Sequence, residues 1–150
     1  MTQEEKLLLT KDLCARLPYG VKCYVPVENC TMELTGKRLN YFCFHKDVWG
    51  IDYTHEFEVV LDPLNDAHNG YIIKPYLRPM SSMTEKEKHE LLKFGVVNMD
   101  KVNNAIDVCC VGFENHAKVQ DYLNSIHVDY RGLIEKGLAI EAPEGMYKIN

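Results

Sequence analysis

The apolar positions of this chain change period twice. Leu9, Leu13 and Leu17 recur at i, i+4 and i+8 with Cys14 beside them, which predicts an amphipathic helix at the N-terminus. Thr2-Gln3-Glu4-Glu5 is a capping box, in which the Thr hydroxyl serves the Glu5 amide and the Glu5 side chain reaches back. Early acids and the later Lys11 and Arg16 suit the helix dipole, and Pro18-Tyr19-Gly20 ends the helix. The period then becomes two. Val21, Cys23, Val25 and Val27 alternate with Lys22, Tyr24 and Pro26, a half-buried strand whose end Pro26 places at a sheet edge. Glu28-Asn29 turns the chain. Residues 31–35 and 38–45 predict two strands around a hairpin loop at Gly36-Lys37. The second has Leu39, Tyr41 and Cys43 on one face and Phe42 and Phe44 on the other, as in a central strand. Residues 47–50 form a turn with the single tryptophan, Trp49. Residues 51–61 form a long strand, with Phe57, Val59 and Leu61 opposite Glu56 and Glu58. Residues 62–70 are dense in turn formers. Residues 71–77 are the next strand, with Pro75 marking an edge or an exit.

Beyond residue 78 the helical period returns. Residues 78–83 connect to a second capping box, Thr84-Glu85-Lys86-Glu87, whose helix takes its apolar side from Leu91, Leu92 and Phe94 and closes at Gly95. In residues 96–113, Val96-Val97 suits extended chain, and 107–113 with Cys109 and Cys110 suit a buried strand. Asn115 caps a third helix with Val119, Tyr122, Leu123 and Ile126 on its apolar face. Residues 130–136 predict a short helix with Gly137 as its C-cap, and 138–141 are extended. No repeat or linker divides the chain. The expectation is a single α+β domain over 1–150. It has an N-terminal helix, then an antiparallel sheet or small, partly open barrel of about five strands, with C-terminal helices packed on one face. They enclose one dry interior with no reactive crevice.

Composition narrows the function classes. Apolar residues are 46% and charged residues 26%, which excludes a disordered or fibrous chain. No stretch approaches the roughly 20 apolar residues of a membrane-spanning helix. Two acids stand near the N-terminus where a secretory signal is basic, which predicts no signal peptide. Seventeen Lys and Arg against 22 Asp and Glu leave a net charge of −5, unfavourable to non-specific binding of nucleic acid or anionic membrane. Lys86, Lys88 and Lys93 interleave with Glu85, Glu87 and Glu90 and read as a solvated helix face. Without a signal peptide, the six cysteines (Cys14, Cys23, Cys30, Cys43, Cys109, Cys110) read as reduced thiols, and a vicinal Cys109–Cys110 bridge is strained.

Candidate chemistry is sparse. Cys43, His45, His55, Cys110 and His116 are possible zinc ligands, but no C-x2-C or H-x3-H pair gathers them, so neither metal nor cofactor is expected. Cys30 is the most exposed thiol by pattern, yet no base is tied to it. Asp62 with Asp66, and Glu56 with Glu58, read as turn and wet-face carboxylates rather than an acid–base pair. No nucleophile elbow, Walker loop, dinucleotide fingerprint or metalloprotease motif occurs. The chain is therefore expected not to be an enzyme. Two segments offer contact chemistry instead. In Lys74-Pro75-Tyr76-Leu77-Arg78-Pro79-Met80, two prolines either stiffen a docking edge or steer the chain from sheet to helix. In the stretch from His127 to Ile134, Asp129 caps the short helix, an Asp129–Arg131 pair fixes the turn, and Arg131 suits an anion or a partner carboxylate with Tyr130 stacking beside it. With Trp49 as an anchor, the partner-binding set is Trp49, Tyr76, Arg78, Tyr130 and Arg131. The alternative is a nucleic-acid platform of Lys22, Lys37, Arg38 and Tyr24 or Tyr41. A third reading is a small hydrolase or nucleotide-modifying enzyme.

Three stretches carry a resemblance. They are Leu13-Cys14-Ala15-Arg16-Leu17-Pro18-Tyr19-Gly20-Val21, the segment from Lys74 through Met80 continued by Ser81-Ser82-Met83-Thr84, and Asp129-Tyr130-Arg131-Gly132-Leu133-Ile134-Glu135-Lys136-Gly137-Leu138-Ala139. Together they resemble a family of small uncharacterised proteins of phages and mobile elements of gut anaerobic bacteria. The likeness brings no activity, cofactor or catalytic residue. It implies a phage or prophage accessory protein in the bacterial cytoplasm. The expected function is thus non-enzymatic binding of a host or phage protein.

Overall fold

Thr2 opens helix α1 (Gln3–Arg16) as its spacing predicts. Its hydroxyl accepts from the Glu5 amide at 3.1 Å, and Glu5 Oε2 accepts from the Thr2 amide at 2.7 Å. Two donors orphaned at the helix start are so satisfied reciprocally. A 3-10 turn, Leu17–Tyr19, and Gly20 in the left-handed region (φ 62°) stop the helix. The computed structural model describes residues 1–26, 29–38, 41–45, 57–60, 73–95 and 113–148, by backbone alone at 37–38, 41–45, 57–60 and 113–114. The chain divides into two compact units, Met1–Tyr76 and Leu77–Asn150.

In the first unit α1 is followed by β1 (Lys22–Val25), β2 (Cys30–Arg38), β3 (Tyr41–His45), β4 (Phe57–Val60) and β5 (Lys74–Leu77), whose last residue opens the second unit. Neighbouring strands are antiparallel, in the order β4-β3-β2-β1-β5. Four strands meander, and β5 returns beside the first. The architecture is α+β with an open sheet, not one closed into a barrel.

Two local expectations change. Strand β1 is not at an edge, since it pairs with both β2 and β5. Pro26 lies just past its end, where its carbonyl accepts from the Asn29 amide at 3.1 Å across the turn. Gly36-Lys37 is not a hairpin loop, because β2 runs through it. Leu34 faces Phe44 and Gly36 faces Cys43, so Thr35 is the extra residue of a bulge. A lone glycine inside a strand is a common mark of such a bulge. The predicted turns at 47–50 and 62–70, with Trp49, Asp62 and Asp66, lie outside the described residues. So do His55, Glu56 and the segment 96–112 with Cys109 and Cys110.

The alternation of the first strands holds: Val21, Cys23 and Val25 are fully buried, with Met32 and Leu34 beside them in the core. The buried side of α1 is less apolar than its leucines suggest. Leu9 and Leu13 share it with Lys6, Asp12 and Arg16, while Leu17 falls in the 3-10 turn. Arg16 Nε donates to Asp12 Oδ2 at 2.8 Å with both side chains at 0% exposure. Burial pushes the Cys23 thiol far up, Asp12 adds to the shift, and Arg16 offsets part of it. Cys23 is therefore an inert protonated thiol. Among the described cysteines, Cys14 and Cys30 are half-buried and none is bridged.

The second unit contains α2 (Glu85–Lys93), α3 (Phe113–Ser125) and β6 (Ile140–Glu141). Leu91 of α2 and Val119 and Leu123 of α3 meet Met83, Val128 and Tyr130 in one apolar cluster. Leu92, expected on the apolar side of α2, is 49% exposed, whereas Glu87 is buried one turn before Leu91. Helix α3 starts at Phe113, two residues before the predicted cap Asn115. It ends with His127 in the left-handed region (φ 57°), where glycine is usual. The Val128 amide donates to Leu123 O at 3.2 Å and the His127 amide to Asn124 O at 3.1 Å. The helix predicted at 130–136 is a run of turns instead. Gly132 takes φ 68°, which breaks the helical path, and the Asp129 carboxylate accepts from the Leu133 and Ile134 amides at 2.9 and 2.8 Å. Gly137 still closes the last turn, its amide donating to Ile134 O at 3.0 Å while Leu138 N donates to Leu133 O at 2.9 Å.

Gly20 has a positive φ, and a Cβ built there would lie 2.8 Å from Glu33 Oε1. The Glu33 side chain is able to swing away, but the backbone strain stays. Gly20→Ala should cost about 1–2 kcal/mol, seen as a lower urea midpoint with an unchanged slope.

Candidate functional site

Arg78 follows β5 and is held first by its backbone. Its amide donates to His127 O and its carbonyl accepts from the Asp129 amide, each at 2.8 Å, in a single parallel bridge with Val128. The side chain, 8% exposed, turns toward α2. Nη1 donates to Glu87 Oε1 at 2.7 Å and Nη2 to Glu87 Oε2 at 3.0 Å, the two-pronged geometry that suits guanidinium and carboxylate. Nη1 also donates to Ile126 O at 3.3 Å, and Nη2 to Ser82 O at 2.9 Å. All four terminal N–H donors of the guanidinium are thereby engaged.

Glu87 serves two structures at once. It is the third residue of α2, and its Oε2 accepts from the Thr84 amide at 2.7 Å and the Thr84 hydroxyl at 3.1 Å. The Thr84 hydroxyl in turn accepts from the Glu87 amide at 3.2 Å. Burial is the largest single influence on the Glu87 carboxyl and pushes it up. The Arg78 hydrogen bond, the Thr84 amide, the Arg78 charge and the Thr84 hydroxyl together outweigh burial and hold the group below its ordinary range.

A cleft of about 440 Å³ opens over this pair, within the second unit. Helix α2 supplies Lys86 and Glu90, one turn apart, and α3 supplies Tyr122 and Ser125, with Ile126 just past its end. His127 and Tyr147 stack at 3.9 Å between ring centres with planes 21° apart, and Lys148 follows. Glu90 Oε1 accepts from Lys93 Nζ at 2.5 Å, and that bond holds its carboxyl down. Burial raises the Tyr122 phenol, and Glu87 and Glu90 add to it against Arg78, so the hydroxyl stays protonated at neutral pH. The cleft corrects the expectation of a dry interior without a crevice. Its walls come from segments spread between residues 78 and 148, whose convergence no local spacing encodes.

Both carboxylates are engaged by cations, and Ser125 Oγ donates to Tyr122 O at 2.6 Å. No thiol lines the cleft among the described residues. Among the described residues no group of three or more His, Cys, Asp or Glu is placed to hold a metal ion. Of the possible zinc ligands only the His116 side chain is described; those of Cys43, His45, His55 and Cys110 lie outside.

The partner-binding residues read from the sequence are placed very differently from one another. Arg78, expected on a docking edge, is buried and structural, because its donors are spent inside the unit. Tyr130 is also buried, its hydroxyl donating to Asn124 Oδ1 at 3.2 Å. Arg131 is half-buried and lies 4.5 Å from the centre of the Tyr130 ring, a cation–π contact. Tyr76, half-buried, belongs to the first unit, its hydroxyl accepting from Thr31 Oγ1 at 3.4 Å. Trp49 lies outside the described residues. Of the nucleic-acid platform, Tyr24 donates its hydroxyl to Asn29 Oδ1 at 2.8 Å and Lys22 faces Glu33 across the β1–β2 ladder. The side chains of Lys37, Arg38 and Tyr41 are not among those described. Sequence reasoning missed Tyr147, Lys148 and the meeting of Lys86, Glu90, Tyr122 and His127. The only local signal was Tyr122 four residues before Ile126, which read as core.

Comparison with protein families, with curated proteins and with solved structures finds no match to this chain. No helix among the described residues is long and apolar enough to cross a membrane.

Breaking a buried ion pair by removing one partner costs roughly 3–5 kcal/mol. Arg78→Met and Glu87→Gln should each lose stability on that scale in urea unfolding. Arg78→Met combined with Glu87→Leu should cost well below the sum of the two single losses. The pair also carries a pH signature. The folded Glu87 carboxyl lies below its ordinary 4.5, so its stabilisation is complete above that pH and fades as pH falls through the lower folded value. An acid titration of stability should show this slope, shallower in Arg78→Met.

Proposed function

We propose that this chain is a non-enzymatic accessory protein of a phage or mobile element, acting in the bacterial cytoplasm by binding a host or phage protein. The observation that carries this reading is the cleft of the second unit, whose floor is a saturated ion pair and whose walls mix aromatic, aliphatic and charged groups. A floor already held by hydrogen bonds has less conformational freedom to lose on association. Tyrosine side chains offer large contact area at a small entropy cost. The net charge of −5 and the presence of Glu87 and Glu90 in the lining favour a protein partner over a nucleic-acid backbone. The resemblance to phage and mobile-element proteins supplies the biological setting.

The test is capture from a lysate of gut anaerobic bacteria on the immobilised chain, followed by mass spectrometry and rebinding of the purified partner. Tyr147→Ala should weaken that rebinding about tenfold or more while circular dichroism stays unchanged. Rebinding that is indifferent to Tyr147 takes the cleft out of the reading. Retention of nucleic acid alone overturns the reading itself.

A further inference from the structure

We propose that the cleft of the second unit binds a small aromatic monocarboxylate. Its ring rests on the wall of Ile126 and Tyr147, and its carboxylate is met by Lys148 and the Tyr122 hydroxyl. The inference goes beyond protein binding, since the ligand is a small molecule. Charge is the first argument. Within the described lining Arg78, Lys86 and Lys148 stand against Glu87 and Glu90, an excess of one positive charge. Arg78 is bound by Glu87. The charge of Lys86 acts on Glu90, which accepts from Lys93 as well. Lys148 is exposed, and its side chain forms no ion pair or hydrogen bond with a described residue. One negative charge on a ligand is therefore answered by Lys148. A second would face Glu87 and Glu90 with no such answer.

The second argument is the supply of donors. The terminal donors of Arg78 are spent on Glu87, Ile126 and Ser82, and the Ser125 hydroxyl is spent on Tyr122 O. The Tyr122 hydroxyl makes no hydrogen bond to a described residue. Burial, with Glu87 and Glu90, keeps it protonated, so it has a proton to offer a carboxylate. The third argument is shape. Tyr147 is held flat against His127 at 3.9 Å between ring centres, and the Phe94 ring braces Tyr122 at 6.1 Å. Rings fixed in this way favour a flat aromatic ligand, which gains by ring contact beyond its buried area. A volume of about 440 Å³ falls in the range of small-ligand sites, where a few placed polar groups interrupt an apolar lining.

The experiment titrates the 15N-labelled full chain with hydrocinnamate, its neutral amide, its cyclohexyl analogue and the dianion phenylsuccinate. Hydrocinnamate should give saturable amide shifts at Tyr122, Ile126, His127 and Tyr147, with a dissociation constant of about 1 mM or tighter. The neutral amide should bind about tenfold more weakly, the cyclohexyl acid about threefold more weakly, and the dianion no more tightly than hydrocinnamate. The double variant Lys148→Met with Tyr122→Phe should weaken hydrocinnamate about tenfold. It removes an exposed ammonium and one hydroxyl while keeping the ring, and unchanged amide shifts away from the cleft show that it folds. Equal binding of the amide or the cyclohexyl acid, tighter binding of the dianion, indifference to the double variant, or absence of saturation each overturns the proposal. If no acid binds while a captured partner still rebinds through Tyr147, this inference alone falls. If hydrocinnamate binds as expected and no protein is captured, the protein-binding reading falls and this one stands.

Discussion

The second unit depends on one buried ion pair. Arg78 and Glu87 hold each other by two hydrogen bonds, and each is also tied elsewhere. Arg78 reaches the carbonyls of Ser82 and Ile126, and Glu87 caps α2 through Thr84. The arginine backbone meanwhile pairs with His127 and Asp129. The start of α2, the end of α3 and the chain after β5 are thus joined at one guanidinium. A buried pair costs desolvation and stabilises only when its remaining donors and acceptors are satisfied. Here they are, and the carboxyl of Glu87 accordingly lies low despite its burial.

The first unit contains a contrasting pair. Asp12 and Arg16 are fully buried, but they are one turn apart on a single helix. Their hydrogen bond restrains α1 alone, whereas Arg78 and Glu87 connect segments that sequence distance leaves independent. Glu87 was expected on a solvated helix face and Arg78 on a docking edge, yet both are buried. Buried charge is affordable in a helix whose neighbours answer it, and the apolar residues between the charges, Leu9 and Leu13 or Leu91, still fill the core.

The ion pair also makes the cleft what it is. The terminal donors of Arg78 are engaged within the unit, and the lining around it includes Lys86, Lys148, Tyr122, Tyr147 and Ile126. Beside it, Glu90 accepts from Lys93 and the Ser125 hydroxyl donates to Tyr122 O.

Local physics made much of the architecture legible. The capping boxes at Thr2 and Thr84, the alternation of Val21, Cys23 and Val25, and the turn closures at Gly20 and Gly137 each involve residues a few positions apart, so spacing alone predicts them. Where a local rule met a longer contact, it gave way. Gly36 marks a bulge rather than a loop because β3 continues alongside it, and 130–136 are turns because Asp129 takes two amides and Gly132 leaves the helical path. The sequence by itself determined an α+β chain of capped helices and alternating strands. Only the tertiary structure decided the strand order, turned Arg78 from a docking residue into a buried hub, and gathered a cleft from four segments. Hydrogen bonds across nine to 48 positions are set by the packing of whole elements, and no pattern within one element contains them.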